Sequence, residues 1–172
     1  MMSKKGWLLL ILLLLWWPAV AVAQGTPAPV PEEKIDAREK CPVCGMFPAR
    51  YPQWISQLQL AGGEVFYFDG MKDLLAYYFN PAEFGGAADQ EVAAIWTRDY
   101  YTTEWIDARR AYFVTGSDVH GPMGHEFVPL ASEDKARSFK KDHGGEQILR
   151  FEQIDPELVH SLRSGHRMRG GH

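Results

Sequence analysis

The chain has 172 residues, 46% of them apolar and 23% charged, with 18 Lys and Arg against 22 Asp and Glu. That composition suits one globular domain or two very small ones and excludes wholesale disorder and a collagen-like chain. The net charge of −4 comes without any long basic run, which speaks against nucleic-acid binding, and two cysteines are too few for a disulfide scaffold or a ferredoxin cluster.

Lys4 and Lys5 precede an apolar run over residues 7–17, Pro18 breaks it, and Ala21-Val22-Ala23 stands before Gln24. This pattern predicts a secretory signal peptide over residues 1–23. The run is shorter than the roughly 20 apolar residues that span a bilayer. Cleavage removes two lysines and no acids, taking the net charge from −4 to −6. No cysteine lies at the cut. The expectation is therefore a periplasmic protein without a lipid-modified N-terminus, touching the membrane only through an uncleaved leader. Disulfides persist in that compartment. Residues 24–40 carry three prolines and no apolar periodicity, and are expected to form an extended tether.

The globular part starts at Cys41. Residues 54–60 (WISQLQL) alternate at period two and predict a half-buried strand. Ala61-Gly62-Gly63 is a turn, and residues 64–68 (EVFYF) complete a hairpin. Asp69 is a candidate N-cap for a helix over residues 70–79, stopped by Asn80-Pro81. After a loop, residues 91–96 (EVAAIW) form a third strand, and the acidic, aromatic stretch 99–107 reads as turn and packing. The second half repeats the order. Strands are expected over 108–115 and 125–130, the latter with Pro129 near its end or on a sheet edge. Ser132 then caps a helix reaching about residue 142, His143-Gly144-Gly145 ends it, and residues 146–154 form a last strand. The fold class is α+β, with two tandem ββαβ units over residues 41–100 and 101–155 packed into one body. Residues 156–172 begin as a short helix candidate and are expected to end as a flexible tail holding His160, His166, Met168 and His172.

The sharpest chemical feature is Cys41-Pro42-Val43-Cys44-Gly45-Met46. Thiolate and thioether are soft donors that together suit Cu(I). A thioether stays unprotonated where an imidazole would bind a proton and let the metal go. Gly45 allows the chain to turn so that both sulfurs face one point. A second soft donor, Met123, sits in the loop His120-Gly121-Pro122-Met123-Gly124-His125, where glycines and proline leave it little core to fill. His125 is a further candidate ligand, Met71 a weaker one at a helix start, and Cys41 is open as ligand, bridge or free thiol. Three alternatives stand beside copper. The cysteines form an inert bridge. They act as a Cys-x-x-Cys dithiol in a thiol–disulfide oxidoreductase, although Gly45, Pro48 and Pro52 deny the box the helix that lowers such a thiol's pKa. Or they join His120 and His125 around zinc. No nucleophile elbow, phosphate loop or zincin motif is present, so no catalytic residue is assigned.

The order of motifs resembles the NosL family. It runs through the cysteine box, Phe68-Asp69-Gly70-Met71, Asp99-Tyr100, Trp105-Ile106-Asp107-Ala108, Ala111-Tyr112-Phe113-Val114, Pro122-Met123-Gly124 and His143-Gly144-Gly145. The resemblance covers residues 40–154. It implies two tandem ββαβ units. It also implies a non-enzymatic role: binding Cu(I) in the periplasm and delivering it for maturation of nitrous oxide reductase, or of a related envelope copper enzyme. It carries copper binding to Cys44, Met46 and Met123 first, then to His125 and Met71. Many family members have a lipid-bearing cysteine at the cleavage site, where this chain has Ala23-Gln24.

Overall fold

The structure, a computed structural model, describes residues 29–165. The predicted leader, the first part of the tether, and His166, Met168 and His172 lie outside the described residues.

In the first half, β1 (Ser56–Leu60) is central. It pairs antiparallel with β2 (Val65–Phe68), Ser56 opposite Phe68, and with β3 (Val92–Arg98), Ser56 opposite Thr97. The helix α1 (Met71–Phe79) lies between β2 and β3 in the chain and stops at Asn80, as Asn80-Pro81 predicts. A short fourth strand, β4 (Trp105–Asp107), joins the edge of β3. Its three residues are too few to show alternation. It is fixed by the Arg98 guanidinium stacked 3.7 Å from the Trp105 ring centre.

The second half is built the same way. The strand β5 (Tyr112–Thr115) is central, flanked by β8 (Val128–Leu130) and β9 (Gln147–Arg150). Thus each half puts its first strand between its second and its last, and the ββαβ repeat is real in topology. Pro129 lies in an edge strand, and its carbonyl accepts from Tyr100 N at 2.9 Å, tying the two halves together. Ser132 caps α2 (Glu133–Asp142), and Gly144, with φ +65°, turns the chain out of it.

Several expected elements differ. The strand expected over 108–115 begins only at Tyr112, because Asp107 accepts from Arg109 N and starts a 3-10 turn over Ala108–Arg110. The strand expected over 125–130 is broken. Its start instead belongs to a hairpin of β6 (His120–Gly121) and β7 (Gly124–His125) around Pro122 and Met123. Glu126 then turns its carboxylate inward. The last strand ends at Arg150, where the Gln153 side chain accepts from Arg150 N and sets a 3-10 turn.

Two segments expected to be loose are docked. Gln57 and Gln59, on the face of β1 away from the main core, donate to the carbonyls of Glu32 and Val30 at 2.6 and 2.7 Å. The end of the tether thus covers β1, and its strand is buried on both faces rather than one. The short helix candidate at the start of the tail forms as α3 (Pro156–Arg163), with Asp155 as N-cap and Pro156 at the first position, and it docks. Val159 and Leu162, three apart, are buried against α1. Leu158 packs beside them, so the apolar positions 158, 159 and 162 form the inner face of this short helix.

One core joins the halves. Leu58, Phe68, Leu74 and Ile95 pack in the same cluster as Phe113, Phe127, Val159 and Leu162. A smaller cluster of Trp54, Val114, Val128, Leu130, Ala136 and Phe139 lies under α2. Among the described residues, no helix is long and apolar enough to cross a membrane.

Candidate metal centre

The cysteine box is a closed loop. Cys41 N donates to the Met46 carbonyl at 2.8 Å, and Gly45 N to the Cys41 carbonyl at 2.9 Å. Gly45 takes φ +76°, a left-handed conformation that a side chain disfavours. Cys41 is buried and Cys44 half-buried, and both are free thiols, so the inert bridge is absent. The chain leaves the box through a single 3-10 turn over Pro48–Arg50, so neither sulfur sits at a helix N-terminus.

Two carboxylates face the thiols. Cys44 Sγ donates to Asp69 Oδ1 at 3.1 Å, and Cys41 Sγ lies 3.8 Å from Asp73 Oδ2. One ligand atom from each of these four residues lies within 4.8 Å of the other three. The neighbouring Cys41 thiol, and then burial, push the Cys44 thiol up from its ordinary value. Burial likewise pushes Asp73 up, against the pull of Lys72 and Arg163.

Asp69 is not the helix cap that the sequence suggests. The N-cap of α1 is Gly70, and Asp69 turns away to Cys44. Its Oδ2 is buried with no hydrogen-bond partner. The helix start is capped from the other half of the molecule: Glu126 Oε1 accepts from Lys72 N at 2.6 Å and from Phe127 N at 2.9 Å. Gly70 has an extended φ of 178°, open to any residue. Space is what demands glycine here, since a Cβ would lie 2.2 Å from Glu126 Oε2. Burial pushes the Glu126 carboxyl up to about 8, with Lys72 pulling the other way.

Lys72 completes the joint. Its Nζ donates to the carbonyls of Met123 and His125, both at 2.7 Å. The β6–β7 hairpin is thereby pinned over the start of α1. The result is a cleft of about 490 Å³ lined by Cys44 and Asp73 of the first half, Met123 of the second, and His160 and Arg163 of α3. Met123 is 47% exposed, a thioether with no core to fill.

The structure brings Cys41, Cys44 and Met123 to one region. Met46 is half-buried and closes the box through its carbonyl, without lining the cleft. His125 is half-buried, its ring 4.8 Å from that of His120 across the hairpin. Met71 is buried in the core and does not line the cleft. Among the described residues, the four-donor group contains neither imidazole, so the zinc arrangement with His120 and His125 is not formed. Sequence reasoning missed Asp69 and Asp73. Asp69 precedes the helix and Asp73 lies in its first turn, so two carboxylates flank one helix start.

The NosL family model matches residues 31–159. The chain belongs to the NosL family. Two curated relatives are each named copper-binding lipoprotein NosL. That of Stutzerimonas stutzeri is 30% identical over 134 residues, spanning 73% of this chain and 67% of its own. That of Achromobacter cycloclastes is 30% identical over 128 residues, spanning 67% of this chain and 63% of its own. The crystal structure described as the copper chaperone NosL from Shewanella denitrificans matches with a TM-score of 0.63 and 25% identity, covering 75% of this chain and 98% of that one. The mixed helix-and-sheet architecture of this NosL chain is therefore the architecture of a solved family member.

Proposed function

We propose that this protein is a periplasmic Cu(I) chaperone and not an enzyme. The observation that carries the reading is the shared cleft: a half-buried thiol, Cys44, and an exposed thioether, Met123, held there from opposite halves of the molecule. Two soft donors lining one cleft suit a soft monovalent ion such as Cu(I). The names of the relatives, copper-binding in both curated proteins and copper chaperone in the solved one, support the same cargo. Met46 is the second thioether beside Cys44 in the chain, and His125 and Met71 are the remaining candidate donors. The ion displaces the Cys44 proton on loading. It leaves by ligand exchange: an acceptor's donor attacks through the open cleft before the chaperone's own bonds are lost. Copper never becomes an aqueous ion.

The acceptor is an envelope copper protein, nitrous oxide reductase or its assembly machinery in the first instance. The acidic net charge steers the carrier toward basic acceptor surfaces. The leader over residues 1–23 supplies export. The curated relatives are lipoproteins by name. Here the cleavage site Ala23-Gln24 offers no cysteine for that attachment.

A thiol–disulfide oxidoreductase fits the geometry poorly. Its attacking cysteine needs a lowered pKa and access. Here Cys44 is pushed upward and Cys41 is buried.

The test is an anaerobic titration of the purified protein with Cu(I) against a chromogenic Cu(I) chelator. One equivalent binds. Cys44→Ser weakens it by about 100-fold or more and Met123→Leu by about 10-fold, the latter a loss of ~1.4 kcal/mol. Unchanged affinity in Cys44→Ser refutes the site. Unchanged affinity in both Met46→Leu and Met123→Leu removes the thioethers from it.

A further inference from the structure

The copper reading takes Met123 as a donor and leaves its placement unexplained. Met123 sits in the turn between β6 and β7, beside the Gly121–Gly124 pair, where Gly124 takes φ +85°. Lys72 Nζ holds the Met123 carbonyl at 2.7 Å, so the backbone is anchored while the side chain stays 47% exposed. The other methionines among the described residues are sheltered. Met71 is 1% exposed in the core, and Met46 is half-buried in the cysteine box. The thiols are sheltered as well, Cys41 by burial and Cys44 by half-burial and its hydrogen bond to Asp69. Of the two sulfur donors lining the cleft, Met123 is thus the one open to solvent chemistry.

We propose that Met123 is a reversible oxidation site through which peroxide switches off copper loading. The consequence for copper rests on the copper reading; the oxidation itself does not. A thioether reacts without first losing a proton, so access governs its rate. Hydrogen peroxide transfers one oxygen atom to the sulfur. The O–O bond breaks, an S–O bond forms, the sulfur loses two electrons, and water leaves. The product, methionine sulfoxide, is polar and presents an oxygen in place of a soft lone pair. Cu(I) prefers sulfur to oxygen, so the cleft keeps only Cys44 of its two lining sulfur donors. Position decides whether this is a switch or damage. A sulfoxide at Met71 would put a polar group into the core without a partner. At Met123 the new oxygen meets water, and the hairpin keeps its Lys72 bonds because they are made by backbone carbonyls. The same exposure admits a methionine sulfoxide reductase. Two thiols then reduce the sulfoxide to the thioether, leaving a disulfide and water.

The test treats the purified metal-free protein with hydrogen peroxide, removes the oxidant, and restores the thiols with dithiothreitol, which leaves methionine sulfoxide in place. Peptide mass mapping then reads which methionine has gained oxygen. Met123 is oxidised ahead of Met46 and Met71, and the thermal midpoint does not move. Cu(I) affinity against the chromogenic chelator falls about 10-fold, to the level of Met123→Leu. Methionine sulfoxide reductases for both sulfoxide epimers restore it. Peroxide leaves the affinity of Met123→Leu at its own value, which excludes Met168 and Met46 as the responsible sulfur. Oxidation of Met46 or Met71 ahead of Met123 overturns the proposal. So does full oxidation of Met123 with Cu(I) affinity unchanged, a midpoint that falls with it, or an affinity that the reductases do not restore. The mass map involves no copper, so the copper reading fails by a different sign, Cu(I) affinity indifferent to Cys44→Ser.

Discussion

Replacing Glu126 with Gln tests whether the joint between the two halves is built on a buried carboxyl. Glu126 is 4% exposed and stands against the first turn of α1, far from solvent. Unfolded, it titrates at its ordinary 4.5; folded, burial raises it to about 8. Between those values the folded state holds a proton that the unfolded state has released. Stability from this group is therefore fully present below about pH 4.5 and is lost as pH rises through about 8. At ~1.4 kcal/mol per unit, the full loss is on the order of 5 kcal/mol. That is a large part of the roughly 5–15 kcal/mol that a domain has in hand. The assay is urea unfolding of the metal-free protein at several pH values from about 5 to about 9. The parent loses stability steadily across this range. Glu126→Gln, which cannot ionise, keeps an oxygen for the Lys72 and Phe127 amides and shows a much flatter profile. Asp73, also raised by burial, contributes with the same sign above its ordinary value. Parallel profiles in the two proteins, or a parent more stable at about pH 9 than at about pH 5, would refute the reasoning.

Gly70→Ala drives a methyl group into Glu126 Oε2 and costs about 1–3 kcal/mol by overpacking. Gly62→Ala, which meets nothing within 4 Å, stays within about 0.5 kcal/mol, and equal thermal midpoints for the two variants would contradict the contact. Ending the chain at residue 155 removes α3 and the burial of Val159 and Leu162, worth about 1.5–3 kcal/mol each. The unfolding midpoint falls by several degrees or more, and an unchanged midpoint would show that α3 adds nothing to the core.

How much of the molecule was legible in the sequence depended on where each partner lies. The β1–β2 hairpin, α1 and α2 announce themselves through periodicity, the Gly62-Gly63 turn and the Ser132 cap, all signals within a few residues. The short β4 and the broken start of β8 do not, because their limits are set by Arg98 on Trp105 and by Glu126 turning toward α1. The same holds for the site. Soft-donor chemistry exposed Cys44 and Met123 as candidates, and the fold brings both to one cleft. Asp69 was misread because Asp before a helix is ordinarily a cap. Only the tertiary arrangement shows that the cap comes from Glu126, 54 residues from the Lys72 amide that donates to it.

The displaced cap bears on how a carrier can hold a metal and still surrender it. A tight grip needs donors fixed before the ion arrives, so that little ordering entropy is lost on binding. Release needs one side of the ion open to an incoming donor. The box loop fixes Cys44 through its two backbone hydrogen bonds and the left-handed Gly45. Lys72 fixes the Met123 backbone, and Glu126 fixes the helix turn that carries Lys72. Yet the Met123 side chain itself remains nearly half exposed at the cleft mouth. Backbone hydrogen bonds hold the scaffold around the sulfurs, and the thioether at its rim is the accessible one. Because that thioether comes from one ββαβ unit and the thiol from the other, neither unit alone contains the pair, and both must be folded and joined before the cleft exists.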